Sequence, residues 1–567
     1  MIEKAFNIRT KISSGWVREG TILAFFTLIA LILRETVYVI LYTDSIQYLA
    51  FAKNVLSGIH YGADLSIARY RLPPLYPHAI AFFVSEKYDL FKLIETGRQV
   101  SIIAGSLTVI PVYLLTRRMF GIWAAIVSSF LLLLAPEFLY YSGSVLTESM
   151  ATLFIITSLL FLWLATEKES HPSHFVLLGV FLGLAFLTRH AAIGFLGLSL
   201  IWILANNLVE IGARKIVKSV FVCTLPVVLV VVGFLAVNLP QVFYLHSETG
   251  RWSLTGYFIA DPSSSSQNAV MKMPFTEKAE GESSHTFDGR GSVFEDEESS
   301  DLSPAITYHV NRITDQPIPF IKNYIRVLIS GYRQDTRPLP YPGIILFLAL
   351  AGFLILAIKR ETKKILFLSW IFGGFFLFLA LFGTPPDRYM FPVFPILLII
   401  AGGGAALMAQ GTSNLAQRKG LTFLTEPVFI CVIIISIFTF LYPAATTLIK
   451  SVNSAYNMGY YRAMQDELSP KIEPGAYIFD RNPHRAFFGG GYFVKTPDTS
   501  IKEVIKSGQL QGVRYWIVSS DYVGELYSQF LSLLTNPENY RDYLKPLGVY
   551  GNEKGRTILF EIIPDTH

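Results

Sequence analysis

Residues 122–165 read IWAAIVSSFLLLLAPEFLYYSGSVLTESMATLFIITSLLFLWLA, two apolar runs joined by a short link without lysine or arginine. The first run, Ile122 to Leu139, and the second, Ser149 to Leu164, approach the roughly 20 residues an α-helix needs to cross a hydrocarbon core. Only helices and closed barrels satisfy their backbone polar groups in lipid, and long apolar runs without alternation select the helix. The stretch therefore predicts a helical hairpin whose turn, Tyr140 to Thr147, emerges on one face of a membrane.

Similar runs lie on either side of it. They fall at about Thr21 to Leu41, Val100 to Leu115, Phe175 to Leu187, Ala191 to Leu204 and Val220 to Val237, then Ile344 to Ile358, Ile365 to Phe382, Phe391 to Met408 and Val428 to Leu441. The expectation is a polytopic α-helical membrane protein with about eleven transmembrane helices. Composition agrees: 52% of residues are hydrophobic and 16% charged, with a mean hydropathy of +0.45, against roughly 25% charged in soluble domains. This excludes a cytosolic enzyme, a disordered chain, a collagen-like fibre and a disulfide-stapled module. Forty-seven basic against 42 acidic residues leave a scattered +5, which argues against nucleic acid as a partner. Cys223 and Cys431 both sit in apolar runs, where a thiol behaves as a small hydrophobe.

Basic residues set the orientation, because cytoplasmic loops hold the excess. With Lys4, Arg9, Lys11 and Arg18 inside, Arg117–Arg118, Arg214–Lys215–Lys218, Lys359–Arg360–Lys363–Lys364 and Arg418–Lys419 also fall inside. The alternation requires that Leu75 to Val84, short and preceded by Pro73 and Pro74, lies at the interface instead of crossing. Residues 1–445 thus form the membrane domain, with exoplasmic loops 42–99 and 238–342, and residues 446–567 form an exoplasmic soluble α/β domain. In the first loop, Ile46 to Leu56 is amphipathic; in the second, the polar tract Ser263 to Asp301 cannot build a core. In the soluble domain, Ala476 to Phe479, Tyr515 to Val518 and Thr557 to Ile562 read as strands, and Ile501 to Lys506 and Val523 to Leu534 as helices.

Chemistry gathers at the exoplasmic ends. Asp44, in Tyr42-Thr43-Asp44-Ser45, can accept a proton from a hydroxyl, and equally can cap a helix beginning at Ser45. Glu148 opens the fourth span from outside, where the helix dipole favours an acid. Arg69, Arg71, Arg326, Arg333 and Arg388 are cations suited to phosphate or to headgroups. Arg189, followed by His190, lies in an apolar stretch where a charge needs a partner. Gly402-Gly403-Gly404 suggests close helix packing, and Gly489-Gly490-Gly491 lacks the Lys-Ser/Thr of a phosphate loop. No nucleotide fingerprint or zinc spacing is evident.

Five segments in order carry a resemblance: Asp44-Ser45-Ile46-Gln47-Tyr48 with Ala52 and Leu56-Ser57-Gly58; Leu72-Pro73-Pro74-Leu75-Tyr76-Pro77; Leu146-Thr147-Glu148-Ser149; Phe186-Leu187-Thr188-Arg189; and Asp387-Arg388-Tyr389-Met390-Phe391-Pro392-Val393-Phe394-Pro395. Together they resemble the polytopic GT-C glycosyltransferases, in particular the protein O-mannosyltransferase and aminoarabinose-transferase group. The resemblance implies an exoplasmic site that moves a sugar, with inversion, from a polyprenyl-phosphate donor to an acceptor hydroxyl on protein, lipid or polysaccharide. Carried over by position, Asp44 looks like the general base and Glu148 the second-loop acid. Arg71, Arg189, Arg333 and Arg388 are then donor-phosphate ligands, and Tyr48, Tyr76, His190 and Tyr389 substrate contacts. Arg71-Leu72 replaces the acid-lysine pair usual before the double proline in aminoarabinose transferases, which leaves the donor sugar open. No Asp-any-Asp pair accompanies Asp44, so neither a metal nor another cofactor is expected.

A transporter or flippase of a lipid-linked sugar would also explain the spans and buried cations, but not the loop motifs or the outer domain. A binding protein needing only an anchor would not use so many spans. The orientation is open to direct test: in intact cells, a membrane-impermeant thiol reagent should label cysteines introduced into the first loop and the C-terminal domain. Protection of both would invert the topology.

Overall fold

In lipid a backbone amide has no water to bond, so each apolar run coils into a helix. The structure, a computed structural model, describes residues 2–37, 41–58, 72–84, 89–167, 170–211, 216–255, 342–381, 390–455, 458–523, 528–550 and 556–564. The first half contains α1 (Ile2–Glu35), α2 (Thr43–Leu56), α3 (Leu75–Phe83), α4 (Leu90–Leu107), α5 (Val109–Phe120), α6 (Ile122–Leu134) and α7 (Pro136–Ser142). Then come α8 (Glu148–Ala165), α9 (Pro172–Thr188), α10 (Ile193–Ile211) and α11 (Ile216–Thr249). After residue 341 follow α12 (Pro342–Ile358), α13 (Thr362–Leu381), α14 (Phe394–Arg418) and α15 (Glu426–Ala455).

Among the described residues, seven helices are long and apolar enough to cross a membrane, or eight if the bent pair α6 and α7 counts as one span. The expected eleven crossings are not reached on this measure. One reason is length: α9 is a 17-residue helix, about 25 Å at 1.5 Å per residue, somewhat short of a ~30 Å core. The apolar part of α12 is similarly short. The first apolar run, in α1, is not among the candidates either, while α4 and α5 join into one candidate span, Leu90–Phe120, over the second run. The α6–α7 pair bends by 59° at Ala135, whose extended backbone precedes a proline. Helix α3, only nine residues long, does not cross.

Helices pack where side chains are missing. A Cβ on Gly404 of α14 would overlap the Leu348 carbonyl of α12, and one on Gly402 would overlap Ser128 of α6. The Gly402–Gly404 run is therefore a contact surface, as its composition suggests. Gly179 of α9 and Gly233 of α11 make the same kind of backbone approach. Elsewhere aromatic rings fill the core: Phe195 stacks on Phe375, with ring centroids 4.1 Å apart, and Phe367 meets both Trp163 and Trp202. On α12 the stripe Phe347, Leu350, Leu354 and Ile358 is exposed, which in a membrane means lipid-facing. At one end of the bundle the basic loops meet: Lys363 donates to the Thr166 carbonyl, Lys364 lies 5.7 Å from the Phe120 ring centroid, and Arg117 pairs with Glu19.

The C-terminal sheet domain follows α16 (Met458–Leu468). Its strands are β1 (Tyr477–Asp480), β2 (Tyr492–Lys495), β3 (Val513–Ser519), β4 (Leu544–Tyr550) and β5 (Thr557–Ile562), in the order β2-β1-β3-β5-β4. β1 runs parallel to β2 and β3, while β5 is antiparallel to β3 and β4. α17 (Pro483–Phe488) links β1 to β2, and α18 (Ile501–Gln511) links β2 to β3. The three strands expected from sequence are the central ones. The two that were not, β2 and β4, are edges; β2 is half-buried throughout and β4 carries Pro546, so neither shows a strong buried pattern. Trp516, fully buried on β3, meets Phe530 edge-on at 5.1 Å. Phe487 and Phe488 of α17 share one apolar cluster with Ile46, Leu49, Tyr76 and Leu93 of the membrane domain.

The glycine contacts predict the outcome of Gly404→Val. Overpacking should cost about 1–3 kcal/mol or more and appear as a lowered thermal midpoint of the detergent-solubilised protein. An unchanged midpoint would contradict the backbone approach between α12 and α14.

Candidate active site

The segment between α1 and α2 is held by named side chains. Arg98 of α4, 6% exposed, donates to the carbonyls of Glu35 (2.8 Å) and Val37 (2.9 Å) and pairs with the carboxylates of Glu35 and Glu95, both at 2.9 Å. Tyr42 is extended (φ −84°, ψ 167°) in the cap position of α2, and its N–H donates to Ser45 Oγ at 2.9 Å. Its phenol bonds that of Tyr140. The helix thus starts at Thr43, and the cap position expected of Asp44 belongs to Tyr42. Asp44 instead lies in the first turn, half-buried, where the helix dipole favours its charge.

The cation of the apolar sequence has found its partner. Arg189 sits where α9 gives way to the 3₁₀ turn His190–Ala192, and its Nη1 lies 2.6 Å from Glu148 Oε1 at the first residue of α8. Their side chains are 11% and 1% exposed. Glu148 reaches this position because Leu146, just before α8, is fixed: its carbonyl accepts from Ser101 Oγ of α4 at 3.0 Å.

Tyr48, one turn beyond Asp44 on α2, connects the acid and the ion pair. Its phenol hydrogen-bonds the Thr147 side chain and interacts electrostatically with Asp44, Glu148 and Arg189. Burial first, and then the two carboxylates, push this phenol well above its ordinary pKa, with Arg189 and Thr147 pulling the other way. Tyr48 therefore stays protonated. Tyr76 of α3 meets Tyr48 edge-on at 5.6 Å, donates to the Gly97 carbonyl at 2.9 Å and contacts Ser101 Oγ at 2.8 Å. Burial raises its pKa too, so it acts as a neutral tie between α3 and α4.

The structure thus brings together Asp44, Tyr48, Tyr76, Glu148 and Arg189. The His190 ring meets Phe186 at 5.0 Å, and its Nδ1 lies 3.4 Å from Thr255 Oγ1. Arg71, Arg333, Arg388 and Tyr389, with Arg69 and Arg326, lie outside the described residues. Two cations escaped the sequence reading. Arg98 was placed in a loop next to an apolar run, although it belongs to α4. Arg34, fully buried, lay inside such a run, and a cation there is itself a signal. Its Nη1 donates to the Ala30 carbonyl at 3.0 Å, and its guanidinium lies 5.8 Å from the Phe138 ring centroid. No cluster of three or more metal-ligating side chains occurs among the described residues.

Residues 72–237, which include Tyr76, Glu148 and Arg189, match the family model of dolichyl-phosphate-mannose-protein mannosyltransferases. Curated protein sequences yield no match. In three dimensions the chain is similar to ArnT from Cupriavidus metallidurans bound to undecaprenyl phosphate, at 14% identity and a TM-score of 0.57, covering 97% of this chain and 99% of that one. It is also similar to the Archaeoglobus fulgidus oligosaccharyltransferase in complex with zinc and sulfate, at 15% identity and a TM-score of 0.57, covering 94% and 72%. The oligosaccharyltransferase AglB of the same organism, with an inhibitory peptide and a dolichol-phosphate, matches at 13% and 0.52, covering 95% and 74%. The fold resemblance read from the sequence is borne out over nearly the whole chain, as a polytopic helical domain with a small C-terminal sheet domain.

The ion pair yields a double-mutant test. Glu148→Gln or Arg189→Gln alone should each cost roughly 3–5 kcal/mol of stability, because one buried charge loses its counter-charge. The double variant should recover part of that loss. Additive effects, measured by chemical unfolding of the purified protein, would mean that the two side chains do not act as a pair.

Proposed function

We propose that the chain is an inverting glycosyltransferase that moves a sugar from a polyprenyl-phosphate donor to an acceptor hydroxyl at the exoplasmic face. The observation that carries this reading is the convergence of Asp44 from α2 with the Glu148–Arg189 pair from α8 and α9 around one phenol, Tyr48. In this reading the donor arrives through the bilayer, which removes the need for a nucleotide fold. The bound polyprenyl phosphates of the ArnT and AglB structures support a donor of that class. Asp44 takes the proton of the acceptor hydroxyl as its oxygen attacks the anomeric carbon from the face opposite the phosphate. The bond from that carbon to the phosphate oxygen breaks, and the electron pair leaves with the lipid phosphate.

Negative charge grows on the departing phosphate, so cations already in place lower the barrier more than they strengthen donor binding. Arg189, oriented by Glu148, takes this role together with Arg71, Arg333 and Arg388 from the loops. Tyr48 and Tyr76 shape the sugar site, and His190 and Tyr389 border it. The acceptor is a hydroxyl of a protein, a lipid or a polysaccharide, and neither metal nor cofactor enters the step. The protein is a multi-pass protein of the cell membrane. Its N-terminus is cytoplasmic, and the soluble domain, residues 446–567, is exoplasmic.

Asp44→Asn tests the chemistry. It keeps the size of the side chain and removes its basicity, and the cap position of α2 belongs to Tyr42. Transfer from a polyprenyl-phosphate-linked sugar should fall by at least roughly 10²-fold, the contribution of a positioned general base, with normal membrane insertion. Near-normal transfer would exclude Asp44 as the base and move the search to Glu148.

A further inference from the structure

The C-terminal sheet domain makes a polar contact with the segment that precedes Asp44. His484, on the short helix α17 directly after β1, is 9% exposed, and its Nε2 lies 2.9 Å from the carbonyl oxygen of Leu41. A carbonyl only accepts, so Nε2 carries the hydrogen. Leu41 is itself buried, and the next residue, Tyr42, occupies the cap position of α2. The backbone N–H of His484 donates to Asn482 Oδ1 at 3.1 Å, the ring Nδ1 contacts the same oxygen, and the ring stacks on Tyr461 at 6.1 Å and 15°. Behind it, Phe488 stacks on Tyr461 and packs against Phe91 of α4.

The connection between α1 and α2 is therefore gripped at both ends. Arg98, from within the membrane domain, fixes the carbonyls of Glu35 and Val37. His484, from the soluble domain, fixes that of Leu41. We infer that His484 is a positioning residue: the soluble domain, through the Nε2–H bond to the Leu41 carbonyl, sets the start of α2 and with it the place of Asp44 relative to Glu148 and Arg189. The inference rests on the reading of Asp44 as the base, and it gives the soluble domain a part in the reaction although it supplies no reacting group.

The test uses the full-length protein purified in detergent, with two variants and two readouts. Glutamine places an amide N–H near the position of Nε2, whereas alanine leaves the Leu41 carbonyl without that donor. In His484→Ala, amide exchange at Tyr42 to Ile46 should rise. Its kcat should fall roughly 10- to 100-fold, as expected when a reacting group is misplaced by about 1 Å, while the donor KM stays within about two-fold. His484→Gln should restore both exchange and kcat. Unchanged exchange and kcat in His484→Ala, or a glutamine variant as impaired as the alanine one, would overturn the inference and leave His484 a packing residue against Tyr461. If exchange rises and glutamine rescues it, but transfer ignores both His484→Ala and Asp44→Asn, then the base assignment fails and the bond is a docking contact only.

Discussion

A guanidinium and a carboxylate taken out of water together, Arg189 and Glu148, set the terms for everything around them. Each ion alone would cost several kcal/mol to bury, and the attraction between them largely offsets that cost without leaving much surplus. The pair therefore contributes little net stability and a great deal of geometry. It locks the first residue of α8 to the break between α9 and α10. From there the order spreads through hydrogen bonds: Thr147 to Tyr48, the Leu146 carbonyl to Ser101, and Ser101 to Tyr76. Five helices, α2, α3, α4, α8 and α9, are thus held in register around half-buried Asp44.

The soluble domain sits on this arrangement through two kinds of contact that do different work. Aromatic packing of Tyr461, Phe488 and Phe91 supplies adhesion, each such pair adding about 0.5–1.5 kcal/mol beyond its buried area. The hydrogen bond from His484 to Leu41 adds about 0.5–1.5 kcal/mol net, which is too little to hold a domain. Its direction is specific, however, and it falls three residues before Asp44. α17 is tied to the end of β1 by a buried ion pair between its own Arg485 and Asp480, 3.6 Å apart.

Much of this was legible in the chain. Lipid demands helices, so the apolar runs located the bundle, and the alternation of basic loops sorted its two ends; the structure gathers Lys363, Lys364 and Arg117 at one end and places the soluble domain by Asp44 at the other. The run Thr557 to Ile562 was read as a strand to the residue, because a central strand is apolar on both faces. Asp44 and Glu148 were legible because an acid at the mouth of an apolar helix is rare enough to notice. Arg189 was visible as a charge that needed a partner.

Which partner it would take was not written in any local pattern. Glu148 and Arg189 open and close different helices, and nothing in either stretch names the other; only the packing of α8 on α9 brings them to 2.6 Å. The same holds for His484, separated from Leu41 by most of the chain, and for the bonds of Arg98 to the carbonyls of Glu35 and Val37, which carry no side-chain signature. The edge strands β2 and β4 were missed for a related reason, since their pairing, not their composition, makes them strands. Sequence by itself determined the solvent each segment must live in, and so the helices, the faces and the acids at their mouths. Tertiary structure alone decided the pairings, because a burial pattern is a property of one segment, whereas an ion pair or a hydrogen bond across the fold depends on the relative placement of two.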